Sequence, residues 1–246
     1  MSSQKLKYAP LKEVIFEIHW DSNIDGLGMH VDNGFDLAQG KFSEKLKPKF
    51  PAHKKLIPEG APIKIFGAPM HQYWTAEFQW PVIQHGPGMM AINEVEVGYE
   101  WKNSFKPLII ENVSKLVNSY DVPLKMNKIK LQYVDAWDVE NENTVDFLKL
   151  NLQTEIISKY PTSGILTGFS IQQNFELNDL SQLSLNISSG INNQNQKKSI
   201  ILVTTIEKSG SISPLDIEVW LENAHTETSA IFKKMLNPEF YASLDQ

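Results

Sequence analysis

The chain has 246 residues, of which 41% are hydrophobic and 21% are charged, the composition of an ordinary globular protein rather than a disordered one. It contains no cysteine, which excludes disulfides, zinc–thiolate sites, iron–sulfur clusters and thiolate nucleophiles. All 23 basic residues are lysines, so an arginine finger and the guanidinium group that binds guanine and phosphate through two hydrogen bonds are also excluded. The net charge is −6.

The first half of the chain predicts a strand, a helix, several further strands and a second helix. In the first strand the side chains of Val14, Phe16 and Ile18 alternate with polar ones, the pattern of a strand with one buried face. The predicted elements of this half are a strand over 12–20, a helix over 36–50, strands near 63–67, 72–80, 82–86 and 89–97, and a helix over 107–120.

The second half of the chain predicts the same order of elements. They are a strand over 129–138, a helix near 144–159, strands at about 165–177, 182–189 and 199–207, and a final helix from 213 to about 236. Ser213 is a good N-cap for that last helix, and Pro214 suits its first turn.

Two local matches indicate that the two halves are copies of one unit. The first strands end in Trp20-Asp21 and Trp137-Asp138. The last helices begin with Ser104–Glu111 and Ser211–Glu218, which share the pattern Ser-x-x-Pro-Leu-x-Ile-Glu. Because the matches occur in the same order in both halves, the sequence predicts an internal duplication.

The predicted fold class is therefore α+β. Each copy contributes a strand, a helix, three or four antiparallel strands and a second helix, and the curved antiparallel sheets carry their helices on one face. The predicted domains are a first repeat over 1–122 and a second repeat over 123–246, together forming one compact pseudo-twofold unit.

The opening motif Ala-Pro-Leu-x-Glu-x-x-Phe-Glu-Ile, at 9–18, resembles the start of an uncharacterised prokaryotic family catalogued as sporadically distributed proteins of about 250 residues. Further likeness lies in 84–87, 91–93 and 129–133 and around His225 and Phe232. The chain departs from the family at Gln132 and His19, where the family tends to have arginine. The resemblance covers nearly the whole chain and implies no known reaction.

Glu13, Glu17 and His19 share one face of the first strand. Two carboxylates and an imidazole within reach of each other could hold a metal or perform acid–base chemistry. The alternative is a solvated sheet face, since alternation alone places polar side chains together. This alternative is favoured, with the carboxylates as structural anchors that need lysine or N–H donors if they are buried.

Two further candidates lie in the second half. Asp135 interrupts an apolar strand face beside Tyr133 and Trp137, where burial would raise its pKa; the favoured alternative puts it at a strand end in contact with water. His225 lies at the margin of the apolar stripe of the last helix, where a histidine is more often a packed boundary residue than a catalyst.

Lysines are concentrated between residues 41 and 55. The predicted binding residues are Lys41, Lys45, Lys49, Lys54 and Lys55. Such a patch could meet nucleic acid, an anionic ligand or an acidic partner, or it could be the wet face of an amphipathic helix. Without arginine, and with a pI of about 5.6, nucleic acid is the disfavoured partner.

The motifs of several enzyme classes are missing, namely the phosphate-binding loop, the dinucleotide fingerprint, the His-Glu-x-x-His metal motif and the nucleophile elbow. The predicted function is a non-enzymatic binding or accessory module that engages a protein partner through a groove or the basic patch, with no cofactor. One alternative is an accessory protein of a mobile or defence system, CRISPR- or toxin-associated, that contacts nucleic acid or its effector. Another is an enzyme that uses Glu13, Glu17 and His19.

The sequence also predicts a cytoplasmic protein without a membrane partner. Its first residues lack the apolar core of a signal peptide, and no run approaches the roughly 18 apolar residues that a membrane span requires. The oligomeric state is left open.

Overall fold

The computed structural model of the chain describes residues 6–56, 65–139, 143–157, 164 and 166–245. These residues form a nine-stranded antiparallel sheet accompanied by helices, and the predicted α+β class is confirmed. Among them no helix is both long and apolar enough to cross a lipid bilayer.

Apart from the strand near 63–67, the predicted elements occur in the predicted order. The strands are β1 (Leu11–Trp20), β2 (Asn23–Ile24), β3 (His30–Val31), β4 (Ala52–Lys55), β5 (His71–Trp74), β6 (Val82–Gly86), β7 (Met89–Val95), β8 (Met126–Val139), β9 (Ser170–Glu176), β10 (Gln182–Ile191) and β11 (Lys198–Ile212). The helices are α1 (Phe35–Leu46), α2 (Lys106–Val117), α3 (Thr144–Asn151), α4 (Ile217–Met235) and α5 (Pro238–Ser243). Of these, β2, β3, β4 and α5 are additional to the predicted elements. A π-helical segment, Trp101–Phe105, leads into α2.

The large sheet has the strand order β4-β5-β6-β7-β1-β8-β11-β10-β9, and β2 and β3 form a separate two-stranded sheet. In this order β7 lies beside β1 as β11 lies beside β8, so the two halves of the chain place corresponding strands at corresponding positions. The arrangement is consistent with the predicted duplication, which stays a prediction because topology alone does not establish common descent.

Some predicted boundaries are wrong. The helix predicted over 36–50 ends at Leu46, because Pro48 lacks the N–H that a continuing helix needs. The strand predicted over 72–80 stops at Trp74, and the next residues form a loop. Of the strand predicted near 63–67, residues 63 and 64 lie outside the described residues and 65–67 belong to no strand. Strand β4 was missed because its last three residues are a histidine and two lysines. All three are exposed, so the strand has no alternation of apolar and polar side chains.

The chain divides into two compact units. The β7 unit, so called after one of its strands, comprises Glu13–Leu131 and Glu207–Glu222. The β10 unit comprises Met1–Lys12, Gln132–Ile206 and Asn223–Gln246. Since β8, β11 and α4 each contribute to both units, the division is not a single boundary near residue 122, and the predicted repeat domains stay a prediction.

The core of the β7 unit lies between helices and one face of its strands. Val14, Phe16 and Ile18 of β1 are fully buried, as the alternation predicted. Helix α1 covers this sheet face with Phe35 and Phe42, the latter meeting Tyr73 of β5 edge-on. Each such side chain contributes about 1.5–3 kcal/mol through burial, which anchors the strands that carry the candidate residues.

An aromatic cluster packs against one face of the strands of the β10 unit. Trp137 of β8 stacks on Phe232 of α4, with ring centroids 6.3 Å apart. Phe147 of α3 and Phe240 of α5 close the cluster around the same indole. Helices α3, α4 and α5 are thus fixed to the sheet face on which Asp135 lies.

Candidate functional site

The structure brings Glu17 and His19 together and adds a lysine that the sequence pattern did not include. Lys130 Nζ lies 2.7 Å from Glu17 Oε1, and His19 Nε2 lies 3.3 Å from Glu17 Oε2. Burial by itself would raise the pKa of Glu17, but the hydrogen bonds from His19 and Lys130 outweigh it and lower the pKa to about 2. Glu17 is therefore a fixed carboxylate rather than a proton acceptor near neutral pH.

Glu13 also has a donor of its own. Asn93 Nδ2 donates a hydrogen bond of 2.7 Å to Glu13 Oε1 across the β1–β7 pair. Within the part of the chain that the structure describes, no three histidine, aspartate or glutamate side chains are arranged to hold a metal ion. Glu17 thus joins β1 to β8 through Lys130, and Glu13 joins β1 to β7 through Asn93.

Asp135 is buried in the interior of β8, with 6% of its surface exposed. The favoured expectation that it sits at a strand end in water is wrong, because β8 continues to Val139 and helices cover its inner face. Burial raises the pKa of Asp135 to about 7, and only the positive charge of Lys12 opposes the shift. Its carboxyl enters no ion pair among the described residues.

His225 lies close to the same sheet face. The hydroxyl of Tyr133 and Nδ1 of His225 are 2.9 Å apart, which joins β8 to α4. Nearby polar atoms on this face are poorly satisfied, since Trp137 Nε1 and Thr204 Oγ1 are buried without a hydrogen-bond partner among the described residues.

Three of the five predicted binding lysines are used inside the β7 unit. Lys41 donates to the Asp121 carboxylate, Lys45 donates to a backbone carbonyl at the end of α2, and Lys49 Nζ lies 2.6 Å from Glu111 Oε2. These contacts join α1 to α2 and its C-terminal turn. A ligand that recruited these ammonium groups would first have to break them.

The other two lysines lie on β4, beside a loop of exposed aromatic residues that the sequence pattern missed. Phe78 is 63% exposed and has a φ of 59°, and the ring lies 5.9 Å from Lys54 Nζ. Trp80 is 41% exposed. We name Lys54, Lys55, Phe78 and Trp80 the aromatic–basic surface. A left-handed backbone at a residue with a β-carbon costs about 1–2 kcal/mol, which the fold must offset.

The aromatic loop was missed because its residues also alternate like a strand. Pro81 was the available signal, since proline is confined to strand edges and starts. Because β5 ends at Trp74, Phe78 lies in the loop and not in the sheet. Its ring contacts the Trp74 indole edge-on, with the ring centroids 5.6 Å apart.

Asp32 is a structural anchor that no sequence pattern indicated. Its Oδ2 accepts hydrogen bonds from Trp20 Nε1 at 2.9 Å and from the Tyr120 hydroxyl at 2.8 Å. The backbone N–H groups of Gly34 and Gly88 also donate to this carboxylate. Burial raises the pKa of Tyr120, and the charge of Asp32 raises it further. Asp32 thus joins the end of β1 to the turn that follows α2.

Comparisons with known proteins identify no relative. No family model, no curated protein and no solved structure matches the chain. The resemblance to sporadically distributed proteins stays a prediction from its motifs, and the geometry of the chain's own residues is the basis for its function.

Proposed function

We propose that the protein is a non-enzymatic binding module that engages a protein partner through the aromatic–basic surface. The observation that carries the proposal is Phe78, a large aromatic side chain held exposed in a left-handed backbone under the ammonium group of Lys54. Aromatic side chains dominate the energetics of protein interfaces, and most of the Phe78 side chain stays exposed although its ring also contacts Trp74 and Lys54.

The chemistry of this surface defines its partner. Lys54 and Lys55 are basic on a chain whose net charge is −6, so a partner that is acidic beside an apolar side chain is complementary. Nucleic acid is less favoured, because Lys41, Lys45 and Lys49 are already engaged and the chain has no arginine. The defence-accessory alternative depends on the family resemblance alone and becomes an outcome of the test below.

The test compares two surface variants with a matched control in pull-downs from the native host at low salt, with and without nuclease. The surface variants are Phe78→Ser with Trp80→Ser, and Lys54→Glu with Lys55→Glu. The control is Val97→Ser with Leu215→Ser, which removes two side chains that are 89% and 88% exposed in the same unit. The captured partner is then purified and titrated against each variant.

We expect the wild type and the control to bind one protein with equal affinity, and each surface variant to bind it at least tenfold more weakly. Equal binding by the surface variants would overturn the proposal. Capture that disappears with nuclease and at moderate salt would replace it with the nucleic-acid alternative.

A specific observation favours a second candidate, an enzyme whose acid–base group is Asp135 rather than Glu13, Glu17 and His19. A general acid or base works best with a pKa near the operating pH, and burial raises the pKa of Asp135 to about 7. Glu17 lacks this property, because Lys130 holds it ionised. Screening metabolites for turnover that is lost in Asp135→Asn but kept in Glu13→Gln tests this candidate.

A further inference from the structure

Strand β9 ends the large sheet on the side of the β10 unit. Six of its seven residues are exposed, among them Phe175 at 45%. The strand pairs with β10 in an antiparallel register that sets Leu183 opposite Phe175 and Leu185 opposite Gln173. Its other edge has no strand beside it among the described residues.

The backbone of β9 alternates in the direction of its hydrogen-bonding groups. The N–H of Leu177 donates to the Ser181 carbonyl, and the N–H of Ser189 donates to the Phe169 carbonyl. Both pairs are in register with the strands, so the odd-numbered residues of β9 bond to β10. The even-numbered residues, Ser170, Gln172, Asn174 and Glu176, therefore direct their N–H and carbonyl groups away from the sheet.

We propose that this edge pairs with β9 of a second copy of the chain, antiparallel and about a twofold axis through Gln173. In that register Gln172 lies opposite the partner subunit's Asn174, and Ser170 lies opposite the partner subunit's Glu176. Both are pairs of outward-directed residues, so their backbone groups can exchange hydrogen bonds. The interface uses one surface twice, as twofold symmetry requires.

The side chains of β9 suit this pairing. Glu176 is its one charged residue and meets a serine, so no like charges oppose each other. On the opposite face Ile171 comes beside the partner subunit's Phe175, and the symmetry repeats this apolar contact. The amides of Gln172 and Asn174 can hydrogen-bond across the same pair.

The other end of the sheet shows what β9 lacks. Strand β4 carries Lys54 and Lys55, and lysine on an edge strand hinders pairing with another chain. Strand β9 has no lysine, no proline and no buried charge among its seven residues. An edge without lysine or proline is a template for pairing with another chain, and the self-complementary register favours defined pairing.

The test uses complementary charges on the full chain. One variant carries Gln172→Lys with Asn174→Lys, and the other carries Gln172→Glu with Asn174→Glu. Each variant alone sets two like-charged pairs across the interface, whereas a mixture of the two sets opposite charges together. The control Asn193→Lys with Gln194→Lys adds the same charge at the exposed turn between β10 and β11.

Mass is measured by light scattering after size-exclusion chromatography, and folding by circular dichroism. We expect the wild type and the control to have about twice the chain mass of 28.0 kDa, each charge variant alone to have the chain mass, and the mixture to recover the dimer. A wild type that is monomeric up to about 100 µM, or charge variants that remain dimeric, would overturn the proposal. Since no residue of the aromatic–basic surface is changed, these outcomes do not depend on the proposed function.

Discussion

Glu17 and Asp135 are both acidic residues in the middle of long strands, yet their environments shift the pKa of the carboxyl group in opposite directions. Glu17 receives Lys130 and His19, and its pKa falls to about 2 despite partial burial. Asp135 is more deeply buried, receives no ion-pair partner among the described residues, and has a pKa raised to about 7. The comparison shows that the pKa of a carboxyl group in a strand depends on whether a residue distant in sequence reaches it. The strand pattern alone does not decide it.

The two carboxyls also change stability in opposite directions with pH. The low pKa of Glu17 gives stability that is present above its unfolded value of 4.5 and is lost as the pH falls toward 2. Asp135 binds its proton more tightly in the folded state, so unfolding becomes easier as the pH rises from its unfolded value of 3.8 toward 7.

The largest effect is expected for Asp135→Asn, which removes the buried charge but keeps the shape of the side chain. We expect the free energy of unfolding to rise by about 2–4 kcal/mol at pH 8 and to stay unchanged at about pH 2.5, which lies below both the folded and the unfolded pKa of Asp135, so that the group is protonated in both states. Urea unfolding at the two pH values measures this.

The matched control for this prediction is Asp138→Asn on the same strand. Asp138 accepts hydrogen bonds from Asn192, Asn195 and Ser199, and these bonds lower its pKa. Its replacement should leave stability at pH 8 the same or slightly lower. A loss of stability at pH 8 in Asp135→Asn would show that the carboxylate has a compensating partner.

Lys130→Met is expected to lower the free energy of unfolding by about 1–2 kcal/mol at pH 7, because Glu17 would keep only His19 as a partner. The difference from the wild type should shrink as the pH falls from about 4.5 toward 2, where Glu17 takes up its proton. Chemical denaturation across this range is the measurement.

Lys128→Met is the control, since Lys128 forms a more exposed ion pair with Glu207 at 2.8 Å. Exposed ion pairs contribute about 0–1 kcal/mol, so Lys128→Met should lower the free energy of unfolding by less than Lys130→Met does. Equal effects of the two substitutions would mean that the Glu17 network is an ordinary surface contact.

A smaller effect, about 1 kcal/mol, is expected for Tyr133→Phe, which removes the hydroxyl bonded to His225. The nitrogen chemical shifts of the His225 ring should change with it, which a purely packing effect would not produce. Tyr241→Phe is the control, because the Tyr241 ring also packs on Phe232 of α4. Unchanged His225 signals in Tyr133→Phe would contradict the assigned bond.

Local patterns predicted much of the fold and little of the site. The alternation in β1 correctly buries Val14, Phe16 and Ile18, because burying one sheet face requires a period of two. The same alternation wrongly extended β5 through Phe78, since a loop of alternating residues has the same pattern. The basic cluster was visible, but its contacts to α2 depend on residues some 60–80 positions away.

The sequence by itself determined the α+β class, the order of most of the elements and the chemistry that the missing cysteine and arginine exclude, because these follow from periodicity and composition. Only the tertiary structure decided that Lys130 reaches Glu17, that Asp135 is buried, that Lys49 is held by Glu111 and that Phe78 is exposed. The physical reason is that the pKa and the availability of a side chain depend on burial and on charges a few ångströms away in space, which the order of residues along the chain does not specify.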